Sequence, residues 1–314
     1  MKKLLATTAA VIALTIGSAD AAQMKNVTFE SQNQTLVGNL YLPDNYQDGD
    51  KLPGVVITGA WTTVKEQMPA TYAEALADKG YAALVFDFRG WGESKDDIKF
   101  LEDPQRKTED INAAVNYLVT RAEVNPQAVA GLGICASAGY MSDAAVKNPN
   151  IKSVALVAPW LHDAEIVNAV YGGEDSVNNL IQVSRDATAT PNSMILEAAS
   201  TTNENAVMYQ APYYTETDRG LIEEYDNKFN AASWEGWLTY DALKTADIQT
   251  KPTVLVHSEA AAIPQGAKEY AARAGDTANL VMLENITQFD FYDRPDAVKQ
   301  TAVAVDQHFS ATLK

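Results

Sequence analysis

Short apolar runs of strand length alternate with segments of helical spacing, and this alternation limits the possible folds more than any other feature of the sequence. The strand-like runs are 54–58, 82–86, 128–132, 153–157, 253–257 and 279–283. The helical segments are 67–79, 108–121, 138–147, 266–274 and 296–312. A strand, a helix and a second strand in succession form a βαβ unit, in which the two strands are parallel. The sequence therefore predicts an α/β fold with a mostly parallel twisted sheet and helices on both faces.

Two regions depart from this alternation. Residues 26–42 alternate apolar and polar side chains around Asn33-Gln34, which predicts a β-hairpin. Residues 163–250 are polar and rich in Asn, Thr and Glu, and we interpret them as a partly helical insertion, or lid, between the sixth and seventh strands. The predicted core consists of residues 22–162 and 251–314.

The first 21 residues have the pattern of a secretory signal peptide. Lys2 and Lys3 precede a short apolar run that ends at Ile16, and Ala19-Asp20-Ala21 forms a small-x-small cleavage site. We considered a membrane anchor, but the run is too short to span a bilayer and no second hydrophobic segment follows it. The sequence predicts cleavage near Ala21/Ala22, a periplasmic or secreted protein, and no membrane span.

The net charge of −17 argues against several kinds of partner. An acidic surface repels nucleic-acid phosphates and anionic lipid headgroups, so nucleic-acid binding is not expected. The sequence contains no metal-ligand cluster and no phosphate-binding glycine loop, so we predict no metal and no other cofactor. The expected partner is a small molecule.

Two overlapping nucleophile patterns surround the single cysteine, Cys135. One is Gly133-x-Cys135-x-Ser137, and the other is Cys135-x-Ser137-x-Gly139. A nucleophile in a sharp strand-to-helix turn needs small residues two positions before and after it. Because the strand 128–132 runs directly into Gly133, the register favours Cys135 as the nucleophile. The alternatives are attack by Ser137 and a buried, inert cysteine.

Three segments together resemble the α/β-hydrolase superfamily. They are Gly59-Ala60-Trp61, the loop 87–94 with its D-x-R-G-x-G-x-S pattern, and the cysteine motif itself. Segments 65–67 and 289–293 further resemble a dienelactone-hydrolase-like and polyketide-transferase-like branch. This resemblance implies an α/β-hydrolase fold, a nucleophile elbow, and an oxyanion hole formed by the backbone N–H groups of Trp61 and Ala136. We interpret Asp87 and Arg89 as members of a structural charge network.

The remaining triad positions of such a hydrolase do not match. Gln288 stands where the resemblance implies a histidine, and Ala260 stands where it implies an aspartate. Glutamine cannot accept and return a proton at neutral pH. Of the three histidines, His162 with the adjacent Asp163 gives the sharpest hypothesis, a Cys135–His162 pair oriented by Asp163. His257 and His308 are interpreted as packing or surface residues.

These features favour a hydrolase of small esters, thioesters or lactones that uses Cys135 with an incomplete triad. The predicted substrate-binding residues are Ser137, Gln288, Trp234 and Trp237. Two alternatives remain open. One is a non-catalytic binding or scaffold protein that kept the fold, and the other is an acyltransferase, which differs only in the group that accepts the acyl chain.

Overall fold

The computed structural model describes residues 22–313, and the predicted signal peptide lies outside this range. An eight-stranded sheet forms the centre of the described structure. Its strands are β1 (Gln23–Ser31), β2 (Gln34–Leu42), β3 (Leu52–Thr58), β4 (Ala82–Phe86), β5 (Val124–Ile134), β6 (Ser153–Val157), β7 (Thr253–Ser258) and β8 (Ala278–Leu283). In space their order is β1-β2-β4-β3-β5-β6-β7-β8. β1 and β2 form the predicted antiparallel hairpin, and the strands from β4 to β8 are parallel.

Ten helices accompany the strands within the described residues. They are α1 (Met68–Ala77), α2 (Pro104–Leu118), α3 (Ser137–Lys147), α4 (Ala164–Val170), α5 (Glu174–Thr188), α6 (Pro212–Thr215), α7 (Ser233–Leu238), α8 (Pro264–Ala274), α9 (Asp290–Asp293) and α10 (Pro295–Thr312). α1 packs against α10, and α2 packs against α3. Every residue of β4 and β6 is buried, and because successive side chains of a strand point to opposite faces, both faces of the sheet are covered. The predicted α/β fold is confirmed.

Helix α2 begins four residues earlier than the sequence pattern predicts. The Asp103 side chain accepts a hydrogen bond from Arg106 N, and Pro104 occupies the first helical position. A capping aspartate followed by proline fixes a helix start more firmly than apolar periodicity does.

The segment between β6 and β7 contains α4 to α7 and two small pairs of short strands. One pair joins Ile195–Glu197 to Lys228–Asn230, and the other joins Ala199–Ser200 to Met208–Tyr209. The division into a core and a lid at residues 163–250 stays a prediction. Across residues 22–313, no helix has the length and apolar character needed to cross a membrane.

The loop after β4 is held by a buried ion pair. Lys65 Nζ lies 2.8 Å from Asp87 Oδ2, and both side chains are almost fully buried. The backbone N–H groups of Lys65 and Glu93 also donate to this carboxylate. A Cβ at Gly92, where φ is +49°, would lie 2.4 Å from Asp87 Oδ2, so the close approach of the backbone requires glycine. On the same loop, Arg89 Nε lies 2.7 Å from Asp110 Oδ1. This geometry supports the structural interpretation of Asp87 and Arg89.

The sheet places two sequence motifs side by side. The chain leaves β3 toward β4 on one side and later returns to β5 on the other side. Ligands of open α/β sheets bind at such a switch point, beyond the carboxyl ends of the two neighbouring strands. The segment Gly59-Ala60-Trp61 follows β3 and Cys135 follows β5, so both motifs lie at this point.

Candidate active site

Cys135 occupies the turn between β5 and α3 in a left-handed backbone conformation, with φ at +57°. This conformation is rare for a residue with a side chain and is typical of strained functional turns. A Cβ at Gly133 would lie 2.4 Å from the Ser137 carbonyl oxygen, so the position two residues before the cysteine must be glycine. Cys135 thus lies at the apex of a sharp strand-to-helix turn, as the predicted nucleophile elbow requires, and its role as the nucleophile stays a prediction.

Ser137 has a different position from the one its predicted substrate-binding role requires. It is the first residue of α3, it is buried, and its Oγ donates to the Gly59 carbonyl at 2.5 Å. It is not among the residues that line the cavity at the elbow. The side chain therefore ties the elbow to the loop after β3, which corrects the substrate-binding role predicted for it.

A cavity of about 590 Å³ opens above Cys135, between the sheet and the segment that follows β6. None of the residues that line this cavity carries a charged side chain. They are Trp61, Cys135, Ala136, Trp160, Val170, Tyr171, Val207, Met208, Tyr209, Gln210, Ala211, Tyr214, Trp234, Trp237, Ala262, Gln288, Phe289 and Tyr292. The cavity is suited to an uncharged ligand with substantial apolar or aromatic surface.

Trp234 and Trp237, predicted to contact substrate, both line this cavity and pack on Trp61. The Trp61 ring centroid lies 4.6 Å from that of Trp237 and 5.7 Å from that of Trp234. Phe229 completes the cluster at 5.1 Å from Trp61. The cluster joins the insertion to the loop after β3, so the two tryptophans serve as packing anchors as well as cavity wall. Their contact with substrate stays a prediction.

Gln288 bridges the loop after β7 and the end of β6. Its Oε1 accepts from Ala262 N at 3.1 Å, and its Nε2 donates to the Ala158 carbonyl at 2.9 Å. Because a backbone N–H only donates and a carbonyl only accepts, these two contacts fix the orientation of the amide. Nε2 also donates to the Tyr292 hydroxyl at 3.0 Å.

Tyr292 belongs to the site although it is not among the residues predicted from the sequence. It is buried and lines the cavity together with Cys135 and Gln288, and it lowers the pKa of the Cys135 thiol. Its spacing from Gln288 could have predicted this position. Tyr292 lies four residues after Gln288, and the one-turn helix α9 brings the two side chains together.

Burial raises the pKa of the Cys135 thiol to about 11, although the Tyr292, Ala136 and Gln288 hydrogen bonds each lower it. The nearby Glu102 carboxylate raises it further. The N-terminus of α3 would by itself favour the thiolate, but desolvation of the sulfur outweighs this and the other favourable contacts.

The predicted Cys135–His162 pair is not formed. His162 Nδ1 accepts from Trp160 Nε1 at 3.1 Å, and Nε2 lies 3.1 Å from the Trp237 carbonyl oxygen. These contacts take up both ring nitrogens and fix the neutral tautomer with its proton on Nε2. Asp163 accepts from the first N–H groups of α4 and caps that helix. Both residues therefore hold the cavity wall in place and do not contact the thiol, which corrects their predicted catalytic role.

The other candidates for an acid or base also make their contacts with residues other than the cysteine. Glu259 is exposed and pairs with Lys268 Nζ at 2.5 Å. His257 is buried, and its Nε2 lies 3.0 Å from the Ala262 carbonyl oxygen. His308 belongs to α10, and its Nε2 lies 2.9 Å from Ser153 Oγ. Among residues 22–313, no imidazole is hydrogen-bonded to the Cys135 thiol.

The predicted oxyanion hole has part of the required architecture. Trp61 and Ala136 both line the cavity, one from the loop after β3 and one from the elbow. The loop is fixed just beyond Trp61, where Thr62 N donates to Glu102 Oε2 at 3.3 Å and Thr62 Oγ1 lies 2.9 Å from the Tyr225 hydroxyl. The use of the two N–H groups for an oxyanion stays a prediction.

Because His162 is buried, we expect the protein to lose stability in acid. Burial lowers the pKa of His162 to about 4, below the ordinary value of 6.5. The folded state thus binds this proton more weakly than the unfolded state does, so unfolding is favoured as the pH falls from 6.5 toward 4. We expect His162 alone to lower the free energy of unfolding by about 2 kcal/mol between pH 7 and pH 5.

Urea unfolding of the His162→Gln variant tests this prediction, since glutamine offers one donor and one acceptor but does not titrate. The variant should lose about 2 kcal/mol less than the wild type over the same pH interval. An unchanged pH dependence in the variant would show that His162 does not control acid stability.

Comparison with known proteins agrees with this architecture. A family model described as X-Pro dipeptidyl-peptidase (S15 family) matches residues 33–261. The chain is 29% identical over 307 residues to the uncharacterized protein PA2218 of Pseudomonas aeruginosa, covering 90% of this chain and 80% of that protein. The crystal structure of PA2218 matches with a TM-score of 0.78 at 26% identity, over 93% of this chain and 95% of the other.

Two further proteins are similar to this chain. The α/β hydrolase GrgF from Penicillium matches with a TM-score of 0.72 at 17% identity, over 92% of this chain and 99% of that one, which shows the fold alone. The thiohydrolase aneE of Aspergillus aculeatus is 29% identical over 126 residues, 40% of this chain and 38% of that protein. The fold, the elbow and the family match together place this chain in the α/β-hydrolase superfamily, and it belongs to the X-Pro dipeptidyl-peptidase (S15) family.

Proposed function

We propose that the protein is an exported hydrolase that cleaves small uncharged esters or thioesters through an acyl intermediate on Cys135. One observation carries the proposal: the only cysteine of the chain sits at the strained apex of the elbow and lines an uncharged, largely aromatic cavity. An acyl group transferred to sulfur would lie among Trp61, Trp237 and Tyr214. The export of the protein rests on the sequence pattern of residues 1–21.

The absence of charge in the cavity wall argues for a neutral substrate. Moving a carboxylate or an ammonium group from water into an uncharged cavity without a counter-ion costs several kcal/mol. An X-Pro dipeptide substrate carries a free amino terminus, and the cavity wall formed by the described residues contains no carboxylate to bind it. We therefore propose ester or thioester substrates, not peptides with a charged amino terminus.

The name of one relative is consistent with this chemistry. A thiohydrolase matches 40% of the chain, and thiol chemistry at the elbow suits acyl exchange between sulfur and oxygen. Cysteine is also the one nucleophile that remains intrinsically reactive without a strong base beside it.

A second candidate is a non-catalytic binding protein. The observation that favours it is Gln288, which takes the place of the histidine and is hydrogen-bonded to Ala158, Ala262 and Tyr292. A protein of this kind would keep the aromatic cavity and bind neutral aromatic molecules without turnover.

Turnover of matched neutral and charged esters distinguishes these functions. We expect the mature protein to hydrolyse p-nitrophenyl butyrate and a phenyl thioester with kcat/KM at least about 100-fold above that for p-nitrophenyl hemisuccinate, because the free carboxylate of the hemisuccinate must be desolvated. Glycyl-prolyl-p-nitroanilide serves as the peptide substrate and should not be cleaved.

Each proposed function predicts a different result in these assays. Equal rates on the neutral and hemisuccinate esters, or rapid cleavage of the anilide, would contradict the assignment of substrate class. Saturable quenching of tryptophan fluorescence by neutral aryl esters, with no product formed, would favour the binding protein.

A further inference from the structure

We propose that Tyr292 is a catalytic residue that relays the proton between Cys135 and the leaving group, in place of the missing histidine. The inference rests on the proposed hydrolase function and adds to it the group that moves the proton. It is carried by the way in which Gln288 fixes the hydrogen bonds of the Tyr292 hydroxyl.

The orientation of the Gln288 amide determines what the Tyr292 hydroxyl can do. Ala262 N and the Ala158 carbonyl fix the amide so that Nε2 faces Tyr292 and donates to its oxygen at 3.0 Å. A tyrosine hydroxyl has two lone pairs and one proton. One lone pair accepts the amide proton, which leaves the second lone pair and the hydroxyl proton for Cys135 and the substrate.

Tyr292 lies in the same cavity wall as Cys135. Both side chains line the cavity, and the Tyr292 hydroxyl is close enough to the thiol to lower the pKa of Cys135. The ring is buried between Tyr213, at a centroid distance of 5.1 Å, and Phe289, at 5.8 Å. A rigid side chain in the cavity wall near the nucleophile is well placed to exchange one proton for another.

The acylation step balances without a separate base. Cys135 Sγ attacks the carbonyl carbon, so an Sγ–C bond forms and the bond from that carbon to the leaving oxygen or sulfur breaks. The thiol proton passes to the Tyr292 oxygen while the Tyr292 proton passes to the leaving group. Tyr292 thus ends the step neutral, and Cys135 carries the acyl group.

Deacylation reverses the direction of the relay. A water oxygen attacks the acyl carbon, a C–O bond forms, and the C–Sγ bond breaks. A water proton passes to the Tyr292 oxygen while the Tyr292 proton returns to Sγ. The products are a carboxylic acid and the original thiol, and no net charge builds up in the uncharged cavity.

The relay makes a specific prediction for Tyr292→Phe, which keeps the ring and removes the hydroxyl. We expect kcat on p-nitrophenyl butyrate to fall about 100-fold or more while KM changes less than about threefold, because the lost group acts on the proton and not on ground-state binding. In the wild type the reactive species is the neutral thiol, so kcat/KM should be nearly constant between pH 6 and 9. In the variant the rate should follow the thiolate and rise about tenfold per pH unit.

Alkylation by iodoacetamide supplies a readout that does not depend on turnover. Loss of the Tyr292 hydrogen bond removes a contact that lowers the thiol pKa, so alkylation of Cys135 in the variant at pH 9 should be at least about threefold slower. The control is Tyr270→Phe, which removes a buried hydroxyl that contacts Ser142 Oγ at 2.6 Å away from the cavity wall, and it should leave both the kinetics and the alkylation unchanged.

Failure of the relay and failure of the hydrolase function give different results. If the wild type turns over neutral esters and Tyr292→Phe retains its kcat and its flat pH profile, the relay is wrong and the hydrolase proposal stands. If the wild type shows no turnover, the hydrolase proposal is wrong and the relay fails with it.

Discussion

Replacement of Cys135 by alanine should lower kcat/KM on neutral esters by at least about 10³-fold, the largest effect of any single substitution. The thiol is the group at the apex of the elbow, and the cavity opens onto it. Ser137→Ala should lower kcat/KM by less than about tenfold. Its hydroxyl faces the Gly59 carbonyl and contributes about 1 kcal/mol of stability at most.

The pair of variants separates the two nucleophiles that the sequence offers. Both remove one heavy atom within two residues of the same turn, so general damage to the elbow would affect them similarly. Loss of activity in Ser137→Ala with retention in Cys135→Ala would contradict the choice of nucleophile. Steady-state kinetics with p-nitrophenyl butyrate supplies the measurement.

Substitution of Lys65 by methionine should lower the free energy of unfolding by about 3–5 kcal/mol, the largest stability effect that we expect. The Lys65 ammonium lies 2.8 Å from the buried Asp87 carboxylate, and its removal leaves that carboxylate with only backbone N–H donors. Glu66 and Glu93, which also contact Lys65 Nζ, would then lie near Asp87 without a cation between them.

The pH dependence of the stability loss tests whether the unpaired Asp87 carboxylate causes it. Burial raises the pKa of Asp87 to about 6, above the ordinary 3.8, and Lys65 opposes this rise. Without Lys65 the pKa of Asp87 rises further, so the carboxyl of the folded variant is protonated at pH 5. Ionisation costs more in the folded state than in the unfolded state, so the variant should lose more stability at pH 8 than at pH 5.

Urea unfolding of three variants measures both effects. Lys25→Met is the control: Lys25 is half-exposed and lies 3.0 Å from the buried Glu123, which keeps Arg121 Nη2 as a second cation at 3.2 Å, so the substitution should cost no more than about 1 kcal/mol. The double variant Lys65→Met/Asp87→Asn should recover part of the stability that Lys65→Met loses. A loss in Lys65→Met no larger than that in Lys25→Met would contradict the account of the network.

The core of the site could be predicted from the sequence because its signals are local. The register of the strand that runs into Gly133 places Cys135 at the apex, and the need for small neighbours follows from the same turn. Gln288 is predicted differently, from the resemblance to hydrolases that have a histidine in the segment after the last strand. For Cys135 the backbone of a few consecutive residues determines the geometry.

The partners of His162 could not be predicted because they come from distant parts of the chain. The Trp237 carbonyl that contacts its Nε2 lies 75 residues downstream, in the insertion, where the sequence has no strong periodicity. The raised pKa of Cys135 could not be predicted from the sequence for a similar reason. Burial by the whole cavity wall, and not the local helix N-terminus, controls it.

Intact-protein mass spectrometry after brief incubation with p-nitrophenyl butyrate tests the nucleophile most directly. The protein should gain the mass of one butyryl group, and peptide mapping should place it on Cys135, with hydroxylamine removing it as expected for a thioester. Cys135→Ala should show no adduct. An adduct on Ser137, or turnover by the Cys135→Ala variant at the wild-type rate, would contradict a cysteine mechanism.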